Sequence, residues 1–324
     1  MNTPLHSGFR TDLEPAHTAR WARAGCVSGC ACGHTSQRRL FGAALLAGAA
    51  GLAVPAWARE GVDVGRPSKF SKLVSAEQVE QAALTQYAQM QQEAAQQKAL
   101  GPDNHPQVIR LRAIAQRIIP FTYEWNARAR DWKWEVNLIG SSELNAFCMP
   151  GGKIVFYYGI LDKLQLNDDE VAMIMGHEAA HALREHARER MGKTAATRLG
   201  AGALSALLGL GSAGDAALNM GGQLLTLRFS REDESEADLV GLELAARAGY
   251  NPQSGVTLWQ KMAAASKGAP PEFLSTHPTG PTRIKDIEAN IPKVAGLYAR
   301  AEKPAQRFAP PKAQATPKRA TDGS

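Results

Sequence analysis

Cysteine, net charge and long apolar runs are what this chain has least of, and each shortage excludes a class of protein. Of four cysteines, Cys26, Cys30 and Cys32 lie within the first 58 residues, leaving Cys148 alone beyond them. Residues 59–324 therefore cannot close an intrachain disulfide. The early thiols pair with nothing downstream at zinc-knuckle spacing, and no apolar run precedes Cys26 as a lipoprotein signal would require. The formal charge is +6, but it sits at the ends: residues 1–58 carry +3, residues 301–324 another +3, and residues 59–300 are neutral. That middle region offers no electrostatic footprint for nucleic acid, so none is expected as a partner. Beyond residue 58 the best apolar stretch, Leu199–Gly214, is too short and too glycine-rich for a good spanning helix.

The N-terminus reads as an address. Arg38-Arg39-Leu40-Phe41 opens an uncharged run through Val54, and Ala56-Trp57-Ala58 supplies the small-x-small pattern of a cleavage site. Paired arginines followed by x-Phe resemble the twin-arginine export signal of bacteria. Residues 1–58 are thus expected to be a twin-arginine-type signal peptide that sends the chain to the periplasm. An uncleaved leader anchoring it to the inner membrane is the alternative.

The pattern then turns helical. Ser75 opens a stretch to about Leu100, a second runs from about Pro106 to Ile119, and together they form N-terminal helices over about 75–120. Trp132–Ile139 alternates apolar and polar residues as a half-buried strand does, and Lys153–Tyr158 is a second strand after the Pro150-Gly151-Gly152 turn. Helices are expected again over Glu232–Ala248, about Pro252–Ser266, and from Pro281 to about Asn290. Residues 301–324 hold too few large apolar side chains to fold.

The densest signal is Asn167–Met191, NDDEVAMIMGHEAAHALREHARERM, read as one capped helix. Asn167 and Glu170 have capping-box spacing, acids fill the first turn, and Arg184, Arg188 and Arg190 crowd the far end. It carries His177, Glu178 and His181 as H-E-x-x-H. Four-residue spacing stacks the two imidazoles on one face, where they can share a zinc ion. A hydrolytic zinc takes three protein ligands and leaves a fourth position to water, from which Glu178 can take a proton. The metzincin continuation needs glycine at 184 and histidine at 187, but the chain has Arg184 and Ala187. His186, five residues past His181, points off the zinc face and reads as a satisfied or solvated histidine. A carboxylate from Arg231–Asp238 is the remaining source. Glu234 and Asp238 share a face, so one can bind metal while the other orients a ligand histidine.

Four motifs in order then resemble the HtpX-like and CAAX-prenyl-protease-like zinc metalloendopeptidases. They are Asn145-Ala146-Phe147-x-x-Pro150-Gly151-Gly152, the H-E-x-x-H itself, Ser230-Arg231 through Glu234-x-Glu236-Ala237-Asp238-x-x-Gly241, and Ser275-Thr276-His277-Pro278 with Arg283. The likeness runs from about Asn145 to Ile291. It implies one zinc on His177, His181 and Glu234, with Asp238 behind them and His277 and Arg283 facing the oxyanion. It also implies that Asn145–Tyr158 is a substrate-lining edge strand, with Asn145, Ala146, Phe147, Gly151 and Gly152 binding the peptide. The implied fold is a predominantly helical α+β gluzincin domain with one small β-sheet, over residues 59–300 with its catalytic core at about 130–292. Lacking long apolar helices, the chain is similar to a soluble periplasmic branch acting on unfolded or misassembled envelope proteins. Residues 199–225 are expected to form a mobile hairpin or helix pair near the site, with peripheral membrane contact as the alternative. A chaperone or assembly factor with an occluded zinc site is the second functional reading.

Overall fold

Capping side chains set where the helices begin. In the computed structural model of the chain, whose described residues are 59–207, 224, 228–265, 272–277 and 282–312, Ser75 accepts from the Gln78 amide and opens α1 (Ala76–Gln96). His105 caps α2 (Pro106–Ile118), whose Val108, Leu111, Ile114, Ala115 and Ile118 are buried as the 3.6-residue stripe requires. After α3 (Tyr158–Lys163), Asn167 and Glu170 form a reciprocal capping box on α4 (Asp168–Leu183). Ser230 and Asp233 do the same for α6 (Arg231–Arg247), which follows α5 (His186–Leu207). Then come α7 (Ser254–Ala265), the short α8 (Glu272–Thr276) and α9 (Arg283–Arg300).

The stretch Asn167–Met191 is two helices rather than the one expected. Glu185 takes a φ of 59° between α4 and α5, and a left-handed residue ends a helix. α5 then extends into the segment expected to be a hairpin. Residues 208–223 and 225–227 lie outside the described residues, as do residues 1–58, expected to be a signal peptide, and residues 313–324. Every described residue belongs to one compact unit, Trp57–Ser324.

Two C-terminal expectations are also corrected. The helix expected to close near Asn290 runs to Arg300 through Pro292. The tail expected to be unfolded is ordered through Lys312. Its backbone is recruited by polar groups around the start of α4: the Phe308 amide donates to Asp168 at 2.7 Å, Arg307 pairs with Asp169 at 2.8 Å, and the Gln107 amide group donates to the Ala309 carbonyl at 3.2 Å.

The sheet has three strands, β1 (Glu135–Ile139), β2 (Ala146–Met149) and β3 (Lys153–Tyr157), in the order β1-β3-β2. β3 runs parallel to β1 and antiparallel to β2. Asn145–Tyr158 is therefore a hairpin with β2 at the edge and β3 in the centre, not a single edge strand. Gly151 and Gly152 make its turn, with φ of 85° and 78°, a region where a side chain is strained.

α4 lies at the heart of this α+β, predominantly helical fold, buried from Glu170 through Leu183. It crosses α6 with almost nothing between. A Cβ on Gly176 would lie 2.8 Å from the Gly241 carbonyl oxygen, and one on Gly241 would lie 2.6 Å from the His177 amide nitrogen. Glycine at both positions lets the backbones touch, which brings the acids of α6 onto the histidines of α4. Among the described residues no helix is long and apolar enough to cross a membrane.

Candidate metal centre

α4 places His177 and His181 one turn apart with their Nε2 atoms 3.1 Å from each other. The crossing delivers Glu234 between them, its Oε2 3.6 Å from His177 Nε2 and its Oε1 3.5 Å from His181 Nε2. Such separations are those of ligands each lying about 2 Å from a shared zinc, and two imidazoles with a carboxylate form a zinc-hydrolase donor set. The residues therefore fit the metal. His277 joins them: its Nδ1 is 3.0 Å from Glu234 Oε1, and the ligand atoms of all four residues lie within 4.8 Å of one another. The resemblance had implied an oxyanion role for His277. The structure puts it against the ligand carboxylate, with its Nε2 still 3.6 Å from Glu178 Oε1.

Arg283, given the same role, lies elsewhere. Its Nε and Nη2 donate to the Asp238 oxygens at 2.6 and 2.7 Å, its Nη1 reaches Glu234 Oε2 at 2.8 Å, and its guanidinium lies 3.6 Å above the Trp259 ring. It does not line the cleft. Those contacts make it a support for the carboxylates rather than a group facing the oxyanion. Asp238 in turn stands 3.0 Å from His177 Nδ1.

The electrostatics follow from burial and pairing. Burial pushes the Glu178 carboxyl above its ordinary range. Burial, then the neighbouring His177, holds His181 well below the usual histidine value and keeps it neutral. Burial alone would raise Asp238, but Arg283 and His177 outweigh it and bring its pKa to about 2. For His277 burial works against the charged ring, yet Glu178 and Glu234 raise its pKa.

Of the two readings of His186, the satisfied one holds: it is buried, and its Nδ1 lies 2.9 Å from His181 Nδ1, on the side away from the donor group. On one continuous helix it could not have met His181. The turn at Glu185 brings it back, and no glycine or asparagine marked that turn in advance.

The cleft beside the donors has a volume of about 590 Å³ and is lined by Asn145, Ala146 and Phe147 along the β2 edge, by Glu178 and His277, and by Leu224. Gly151 and Gly152, expected to bind substrate, serve the hairpin turn instead and are absent from the lining. Cys148 does line it, but its thiol donates to the Met149 carbonyl, burial raises its pKa, and it is not among the converging donors.

Residues 107–291 match peptidase family M48. Similar curated proteins include the mitochondrial metalloendopeptidase OMA1 of Schizosaccharomyces pombe, 36% identical over 202 residues covering 59% of this chain and 55% of the relative. Its Saccharomyces cerevisiae counterpart is 30% identical over 218 residues, covering 64% and 62%. The beta-barrel assembly-enhancing protease of Escherichia coli K12 is 33% identical over 159 residues, covering 46% and 32%. The chain thus spans less than two thirds of the length of each of these relatives.

Proposed function

The chain belongs to peptidase family M48, and from that premise and the geometry of the donor group we propose that it is a zinc-dependent endopeptidase. The convergence of His177, His181 and Glu234 beside a buried Glu178, whose Oε1 has no hydrogen-bond partner among the described residues, carries the reading. Held by those three residues, zinc would polarise a substrate carbonyl and lower the pKa of water. Glu178 takes the proton of the attacking water and returns it to the departing amine, a double task suited to a carboxylate whose pKa burial has raised. Asp238 fixes the orientation of His177. An extended peptide adds to the open edge of β2 along Asn145–Phe147 by backbone pairing, and His277 donates to the developing oxyanion. Replacing Glu178 with Gln is expected to slow cleavage of an unstructured protein such as casein by about 100-fold or more, with zinc still bound at one per chain. An unchanged rate would defeat the mechanism.

We further propose an HtpX-like, soluble periplasmic enzyme acting on unfolded or misassembled envelope proteins. The name of the Escherichia coli relative supports an envelope setting. The mitochondrial names of the others lend no support to a twin-arginine route, which rests on Arg38-Arg39 alone. Changing both to lysine should block export, and normal export would count against that route. We also propose peripheral membrane contact through residues 199–225.

One observation favours the second reading, an assembly factor or chaperone whose zinc site is closed at rest. His277 completes a four-donor group, and four protein ligands leave zinc no place for water. Casein left intact by stoichiometrically zinc-loaded protein that suppresses client aggregation would support it.

A further inference from the structure

The outer nitrogens of the two α4 histidines meet different partners. His177 Nδ1 faces a carboxylate, whereas His181 Nδ1 faces another imidazole, that of His186, at 2.9 Å. Both rings of the second pair are buried, at 3% and 1% exposure. With His181 Nε2 turned toward the donor group as a lone pair, the one proton of its neutral ring sits on Nδ1. Among the described residues that N–H has a single acceptor in range, the Nδ1 lone pair of His186. The proton of His186 is then on Nε2, which faces Glu236 Oε2 at 3.7 Å. Glu236 is ion-paired with Arg184, and Arg184 also donates to the Gly65 carbonyl at 3.0 Å. The 3.7 Å contact of His186 with Glu236 is electrostatic and not a hydrogen bond, so the arrangement of protons is set at the His181–His186 pair itself.

We propose that His186 is a positioning residue for the metal site, fixing the ring orientation and tautomer of His181, with Glu236 and Arg184 as its anchors. The inference rests on the reading of His177, His181 and Glu234 as zinc ligands. A neutral imidazole whose other nitrogen donates a well-placed hydrogen bond is a better and more rigid ligand than one free to rotate. Here the donation passes through a second ring, because the α6 carboxylate on this side, Glu236, meets His186 and not His181. Simple packing does not account for the contact. Two buried polar nitrogens at 2.9 Å need one donor and one acceptor, and an apolar ring in place of His186 would leave the His181 N–H without a partner.

The test uses full-length protein. Wild type, His181→Ala, His186→Ala and His186→Asn are titrated with zinc against a chromophoric chelator, visible spectra are recorded with cobalt in place of zinc, and melting of the metal-free forms is measured. Asn places its Oδ1 where His places Nδ1, so it keeps the acceptor while losing the ring. His186→Ala is expected to weaken zinc binding by about 10- to 100-fold and to shift the cobalt bands, with His186→Asn recovering most of both. The metal-free melting temperatures of the two His186 variants should agree. Zinc held by His186→Ala as tightly as by wild type, or weakened equally in the Ala and Asn variants, would overturn the proposal. His181→Ala should bind no stoichiometric zinc. A wild type that binds none would overturn the metal reading itself, and this inference with it.

Discussion

Behind His177 the structure places a carboxylate from α6 and an arginine from α9, whereas behind His181 it places a second imidazole from the next helix along the chain. The first support is deep: the Asp238 and Arg283 side chains are 6% and 4% exposed, and Trp259 of α7 lies beneath the guanidinium. Four helices meet in it. The second support ends on Glu236, whose side chain is 23% exposed although that of its partner Arg184 is only 5% exposed, and it draws on the junction of α4 and α5, on α6 and on the Gly65 carbonyl. In a low-dielectric interior a charge left without its partner is costly, while near the surface water softens the loss. The two histidines are therefore held alike in geometry but unequally in energy. One support belongs to the core of the fold, and the other adjusts the site.

That contrast can be broken or sharpened in four ways. The largest effect is expected from Asp238→Ala, which removes the main partner of a buried guanidinium. Denaturant unfolding of the metal-free variant should show a loss of about 3–5 kcal/mol, and a loss no greater than that of a surface change would remove the distinction. Acid should reproduce part of this in the wild type. The folded-state pKa of Asp238 lies at about 2, below the ordinary carboxylate value of about 4, so its contribution is present above that range and lost as pH falls toward the folded value. The metal-free Asp238→Asn variant should lose stability less steeply over the same interval. Ending the chain after Arg300 removes the contacts of Arg307 and Phe308 with Asp169 and Asp168, and is expected to cost about 1–3 kcal/mol. Because that strap holds the start of α4, it should affect the supports of both histidines alike, which a thermal melt with and without zinc would register. Glu236→Ala also takes a partner from a buried guanidinium, and its loss is expected at about 1–3 kcal/mol, below that of Asp238→Ala because Arg184 keeps the Gly65 carbonyl and the lost carboxylate is partly solvated. Its zinc affinity should fall all the same, and by less than that of His186→Ala.

How much of this was legible in the sequence depended on how local the signal was. The capping signals at Ser75 and Asn167, the four-residue spacing of His177 and His181, and the stripe on α2 are short-range patterns, and the helices begin where they indicate. The α+β class and the small sheet were readable for the same reason. What the residues alone left open, which acid meets the histidines, depended on the crossing of α4 and α6, a contact between positions 176 and 241 that no periodicity announces. The left-handed turn at Glu185 is invisible in the sequence because glutamate rarely takes that conformation, so the partner that satisfies His186, off the zinc face, cannot be read there either. Arg283 was placed at the cleft by resemblance, while its bonds to Asp238 and Glu234 are tertiary. The strap 301–312 was read as unfolded because its own composition gives it no core, and its order is lent by Asp168, Asp169 and Gln107.

The glycine contact between α4 and α6 has a mechanical side. With Gly176 against Gly241, the two helices bear on each other backbone to backbone, and no side chain stands at the bearing point whose rotamer could yield. Glu234 sits two turns from that point, and His177 and His181 ride on the opposing rod. The pair behaves as a caliper: its pivot is the backbone of Gly176 and His177 against Gly241, and its jaws are the carboxylate and the two imidazoles. A single methyl group added at the pivot would open the jaws without altering one of the residues that close on the metal.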